Sequence, residues 1–249
     1  MPFVDGTTPE ARNVISGNGT GIAIGSDPRI GDALQSRGNL ILGNYVGVAA
    51  NGTSPLANGG GIVIATADRG AAGTMPGNTI GGLEPGAGNI IAFNSNGGVS
   101  ISSGDGNSIR GNSIFSNDPL GQNANFGGLG ISLNTVTGLN FLRPLALNDP
   151  GDADTGDSKI APPLGLILPG PNLLQNYPVL SSAISSNGII TIQGRLDSAP
   201  KTTFQIDFYA NEHMDQTSYG EGQTYIGTLS TTTDGTGHAE FTGVFDVAV

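Results

Sequence analysis

A short phrase in which Asn and Gly bracket aliphatic residues recurs between residues 12 and 133. It reads Asn13-Val-Ile-Ser-Gly-Asn18, Asn39-Leu-Ile-Leu-Gly-Asn44, Asn89-Ile-Ile-Ala-Phe-Asn94 and Asn107-Ser-Ile-Arg-Gly-Asn112. A second phrase answers it: Gly21-Ile-Ala-Ile24, Gly61-Ile-Val-Ile64, Gly98-Val-Ser-Ile101 and Gly130-Ile-Ser-Leu133. Internal repetition decides the architecture before any single residue can. Strands of three or four residues, with Ile and Val alternating against small residues and closed by Asn or Gly, fit a coil that turns sharply after each strand.

The second phrase recurs at intervals of 40, 37 and 32 residues. Within the second interval three strands can be marked: Asn78-Thr-Ile80, Asn89-Ile-Ile91 and Gly98-Val-Ser-Ile101. Three strands per coil give about four coils, a stack about 20 Å tall at the usual strand spacing. Inward Ile, Val and Leu then form apolar ladders down its axis. Asn suits the turns because it tolerates left-handed backbone angles, and stacked amides can bond from coil to coil. The segments 45–60 and 117–129 exceed what a turn needs and are expected as loops on one side, where repeat folds carry what they bind with.

From Gly138 to Tyr177 the pattern breaks. Pro144, Pro150, Pro162, Pro163, Pro169 and Pro171 predict a linker or cap without regular pairing. Beyond it the period becomes two: Phe204, Ile206 and Phe208 share one face, as do Ala239, Phe241, Phe245 and Val247. Five strands are predicted near 178–185, 188–196, 202–211, 224–231 and 237–248. With turn signals at Asn187-Gly188 and Asp234-Gly235 they suggest an antiparallel sandwich. The expectation is an all-β chain: a right-handed parallel β-helix over 1–137, a Pro/Gly/Asp-rich linker or cap over 138–177, and a small antiparallel β-sandwich over 178–249.

Composition narrows the partners. The net charge is −11 with only two Lys, so no basic patch exists to displace counterions from phosphate, which argues against nucleic acid and anionic membranes. Cations and neutral polymers fit better. The chain has no Cys, which removes disulfides and thiolate metal sites. No apolar run is long enough to span a membrane, and Met1-Pro-Phe-Val-Asp5 lacks the basic and apolar regions of a signal peptide. The first phrase begins at Asn13 almost without a leader, so the chain reads as a piece of something longer.

The phrases at 43–47 (Gly-Asn-Tyr-Val-Gly), 78–82 (Asn-Thr-Ile-Gly-Gly) and 86–91 (Gly-Ala-Gly-Asn-Ile-Ile) resemble the parallel β-helix repeats of the pectin-lyase-like superfamily. They look most like large bacterial secreted or surface proteins. In those proteins a linker like Asn148-Asp-Pro-Gly-Asp-Ala-Asp-Thr-Gly156 and Asn172-Leu-Leu-Gln-Asn-Tyr-Pro178 leads to an Ig-like sandwich, often with a phrase like Tyr219-Gly-Glu-Gly-Gln223. The resemblance covers nearly the whole chain and implies a secreted or cell-surface parent protein. Two departures stand out: 158–170 looks inserted between the linker phrases, and the sandwich lacks the last strands that similar ones have.

Three constellations could carry chemistry. Asp149, Asp152, Asp154 and Asp157, punctuated by Gly151 and Gly156, offer the oxygens that Ca²⁺ wants, although Ile160 stands where an EF-hand would place its closing acid. The alternative is a solvated linker with acidic turns. Asp27, Asp68 and Asp105 each follow the Gly-x-x-Ile strand by three or four residues, so coils would stack them at about 5 Å. With Arg69 or Arg110 such a corner could serve a Ca²⁺-assisted lyase or a glycosidase, though Asp is also an ordinary turn residue. Asp207, Glu212, His213, Asp215 and Glu221 lie around one predicted connection, where a metal competes with the reading of a solvated loop. No nucleophile elbow, P-loop or dinucleotide fingerprint occurs. The sequons at Asn18 and Asn51 are expected by chance in so Asn-rich a chain.

Two functions compete. The first is a structural or adhesive module presenting an extended face to glycans or neighbouring surfaces, with strand edges open to self-association. The second is a polysaccharide-active enzyme centred on Asp68, Asp105, Arg69 and Arg110, or another metal-dependent hydrolase. The lack of Trp, with only Tyr45 and a few Phe in the repeats, weakens both carbohydrate readings.

Overall fold

The computed structural model describes residues 3–25, 37–65, 77–102, 104–118, 129–133, 135–137, 140–143, 147–153, 158–159, 167–168, 171–214 and 219–247. Among these the protein is all-β, without an α-helix.

The first twelve strands come in four sets of three. They are β1 (Phe3–Asp5), β2 (Val14–Ile15) and β3 (Thr20–Gly25); β4 (Leu40–Leu42), β5 (Tyr45–Val46) and β6 (Gly60–Ala65); β7 (Thr79–Gly81), β8 (Ile90–Ala92) and β9 (Val99–Ile101); β10 (Ser108–Arg110), β11 (Ser113–Phe115) and β12 (Ile131–Leu133). Each set gives one strand to each of three four-stranded parallel sheets, ordered β1-β4-β7-β10, β2-β5-β8-β11 and β3-β6-β9-β12.

Register aligns the aliphatic residues into rows. Ile24, Ile64, Ile101 and Leu133 face one another along the third sheet, as the repeat phrase predicts. Ile15, Val46, Ile91 and Ile114 form the row of the second sheet, and Ile41, Ile80 and Ile109 that of the first. The three sheets turn these rows toward one cluster in which Val46, Ile62, Ile64, Ile80, Ile91 and Ile101 are wholly buried. Each such side chain contributes about 1.5–3 kcal/mol relative to exposure.

Between the rows run files of Asn. In one, the backbone N–H and Nδ2 of Asn39 both donate to Oδ1 of Asn78 (3.2 and 2.7 Å), and Asn78 does the same to Asn107 (3.0 and 2.9 Å). A second file runs Asn13, Asn44, Asn89, Asn112, and a third Asn18, Asn58, Asn94, Asn117. Nδ2 also donates to a strand carbonyl, as from Asn89 to Ile41 and from Asn112 to Ile80, both at 2.8 Å. Asn44, Asn58, Asn78, Asn89, Asn94, Asn112 and Asn117 are buried and satisfied, which is the condition for an internal polar group to stabilise.

The repeated Asn phrase flanks a single strand, and not always one of the same sheet. Asn13 and Asn18 stand in the second and third files, whereas Asn39 and Asn44 stand in the first and second. Strands of all three sheets are bounded by the same residue types, so the same letters recur from one sheet to the next. Several of these boundaries need a left-handed residue just before the Asn, supplied by Gly17, Gly38, Gly43, Gly106 and Gly111. Phe93 (φ 61°) and Ser116 (φ 52°) adopt it without glycine.

The Pro-rich stretch departs from its prediction. It holds two short antiparallel pairs, β13 (Thr135–Thr137) with β14 (Asn140–Arg143), and β15 (Ser158–Lys159) with β16 (Ile167–Leu168). β13 and β14 precede Pro144, and β15 and β16 fall between prolines, so all four keep their backbone N–H groups. Two 3₁₀ turns, Pro150–Asp152 and Pro171–Leu174, complete it.

The five C-terminal strands fall within a residue or two of their predicted positions: β17 (Val179–Ser186), β18 (Ile189–Asp197), β19 (Thr203–Ala210), β20 (Thr224–Thr232) and β21 (His238–Asp246). They form two antiparallel sheets, β17-β18-β21 and β19-β20. Asn187 and Gly188 both take positive φ, as the tight turn between β17 and β18 requires. Ile192, Ile206, Phe208 and Phe241 join the two sheets in a second apolar cluster.

Candidate functional site

The polar face of β19 and β20 turns toward the end of the parallel sheets, and most of the chain's distinctive polar residues meet at that junction. In β19, alternation buries Ile206 and Phe208 and leaves Gln205, Asp207 and Tyr209 on the opposite face. Asp207 takes a fork from Arg110: Nε donates to Oδ2 at 2.8 Å and Nη2 to Oδ1 at 2.5 Å. Thr228, across the β19-β20 pair, donates to the same Oδ1. The hydrogen bond to Asp207 raises the pKa of Arg110 above its usual value. Tyr209 accepts the Gly111 N–H at 2.9 Å; burial, helped by the Asp207 charge, pushes its phenol up to about 12.

The Tyr219–Gln223 loop adds to the second sheet. The Ile114 N–H donates to the Gly222 carbonyl at 2.8 Å, and Ser113 Oγ donates to the Gln223 carbonyl at 2.7 Å. Asn211 clamps the loop from behind, giving Nδ2 to the Glu221 carbonyl and accepting the Gln223 N–H. Glu221 then takes the next place in the third Asn file, accepting Nδ2 of Asn117 at 2.9 Å. Gly222 has to be Gly, since a Cβ there would lie 2.9 Å from the Tyr209 ring.

The linker ends the first file in the same manner. Asn107 donates its N–H and Nδ2 to Oδ1 of Asn172, at 3.1 and 2.9 Å. Asn172 is held at φ 47° in the turn that follows Gly170. Four residues on, Asn176 donates Nδ2 to the carbonyls of Asp149 and Asp197, both at 2.7 Å. Asn148 and Tyr177 bond reciprocally.

The predicted site residues separate. Asp105 pairs with Arg37 at 3.3 Å, while Arg110 pairs with Asp207. Asp27, Asp68 and Arg69 lie outside the described residues, as do Asp154, Asp157 and Asp215. Asp152 accepts the Asn176 N–H through Oδ1 and the Ser198 hydroxyl through Oδ2, and burial raises its pKa. Glu212 and His213 are exposed, whereas Asp207 and Glu221 face the junction. Among the described residues no three His, Asp or Glu side chains are grouped to hold a metal.

A cavity of about 410 Å³ opens where the stack end meets β19, lined by Ile109, Arg110, Ile131, Gln205, Tyr219 and Glu221 among others. Sequence reasoning missed it because its walls come from segments about 100 residues apart. Four of the five tyrosines gather nearby: Tyr209 packs edge-on to Tyr225 at 5.6 Å, and Tyr177 to Tyr219 at 6.3 Å. These four tyrosines come from the C-terminal sheets, the 219–223 loop and the linker. No family model matches this chain, and no curated protein does.

Proposed function

We propose that this chain is a structural and adhesive module of an extracellular protein: a right-handed parallel β-helix of about four coils, closed by a small Ig-like sandwich, that presents a rigid surface to glycans. The observation that carries this reading is the use made of its most distinctive phrases. Asn148, Asp152, Asn172, Asn176 and Glu221 all bond to the protein itself and fasten linker and sheets to one another or to the stack. A chain whose specific residues hold its own halves together suits load-bearing display. The acidic, Lys-poor surface favours neutral partners.

The test is a glycan-binding screen of the whole chain alongside assays for new reducing ends and for ultraviolet-absorbing unsaturated products. Binding without turnover supports the module. Turnover that Asp105→Ala abolishes would replace it with the polysaccharide-active enzyme.

A further inference from the structure

We propose that the cavity between the stack end and β19 is a binding site for a neutral saccharide residue, an inference that rests on the glycan-display reading above and gives it a location. The volume of about 410 Å³ lies within the range of small-ligand sites. Its walls join apolar faces to fixed polar groups. Ile109, Ile131 and the half-exposed Tyr219 ring offer surfaces for the C–H face of a pyranose.

The polar complement is set by the fork. Arg110 is immobilised through Nε and Nη2 by Asp207, and among the described residues no acceptor takes the Nη1 protons. Gln205 lines the same cavity, and no described residue bonds its side-chain amide. A fixed planar donor beside an amide that both donates and accepts is the arrangement that adjacent hydroxyls require. Charge selects the class. Asp207 neutralises Arg110 and Glu221 adds a negative charge, on a chain of net charge −11, so a carboxylated or phosphorylated sugar is disfavoured against a neutral one.

The experiment uses the whole chain on an array of neutral gluco-, manno-, galacto- and xylo-oligosaccharides, with oligogalacturonides as the anionic counterpart. The best neutral binder is then titrated against wild type, Gln205→Ala and Tyr219→Ala. Both substitutions are at exposed positions, and thermal midpoints check that the variants remain folded. The site predicts neutral binding weakened roughly tenfold by each substitution, the loss of one stacking or hydrogen-bond contact. Wild-type affinity in both folded variants would overturn the site while leaving glycan display intact. Preference for oligogalacturonides would overturn the charge argument and with it the site, and binding to no glycan at all would remove the display reading as well.

Discussion

Glu221 stands one rung above Asn117, its Oε1 accepting Nδ2 at 2.9 Å and the backbone N–H at 3.2 Å, just as Asn117 itself receives Asn94. A carboxylate thus ends a file of amides. Glu221→Ala leaves both Asn117 donors facing the junction without an acceptor and is expected to cost about 1–3 kcal/mol. Glu221→Gln keeps an acceptor oxygen and is expected to cost less than half as much. Urea denaturation of the three proteins checks the order; equal loss in both variants would mean that charge, not the acceptor, matters.

Position along a file should grade the damage. Asn89 is 1% exposed, accepts both donors of Asn44, and donates to Asn112 and Ile41. Asn89→Ala is expected to destabilise by about 2–4 kcal/mol. Asn18, exposed at the start of its file, keeps its backbone bond to Asn58 when truncated, so Asn18→Ala should cost less than about 1 kcal/mol. Chemical denaturation again gives both numbers.

Two glycines with the same left-handed backbone should respond differently. A Cβ on Gly47 (φ 86°) would sit 2.0 Å from the Ala92 carbonyl oxygen, whereas one on Gly17 (φ 76°) meets nothing within 4 Å. Gly17→Ala carries only the conformational cost, about 1 kcal/mol. Gly47→Ala must also displace the Ala92 carbonyl and the Asn94 side chain, and about 2–4 kcal/mol is expected. Similar melting temperatures for the two variants would contradict this spacing.

The turn between β20 and β21 should loosen in acid. Asp234 accepts from the Thr236 hydroxyl, the His238 N–H and the Thr236 N–H, which lower its pKa from 3.8 to about 2. A depressed carboxylate stabilises fully above its unfolded value, so this contribution holds above pH 4 and is lost as pH falls through about 2. Amide exchange at Thr236 and His238 should accelerate in that window, and Asp234→Ala should remove the acid step.

The rows of the third sheet were legible because Ile24, Ile64, Ile101 and Leu133 each close the same short phrase, and a core-facing aliphatic after Gly has one place to go. The strands after Asn187 were legible because two-residue alternation and Asn-Gly turns are local signals. Asn13–Asn18 flank a strand of the second sheet and Asn39–Asn44 one of the first, which the phrase could not tell apart because strands of both sheets are bounded by the same residues. Nothing local marks Glu221 as a successor of Asn117, 104 residues earlier, or Asn172 as that of Asn107, 65 residues earlier. Arg110 was singled out, yet Asp207 comes to it from 97 residues away. Such partners follow from where the chain returns, which a repeat pattern does not encode.

The Asn files have a direction. The first file donates toward Asn172 and the third toward Glu221, so in these two files a downstream residue accepts the last amide whatever the count below it. A further set of three strands between β6 and β7 would add one member to each sheet and file and leave those acceptors in place. The number of sets is therefore free to vary while the closing residues stay the same.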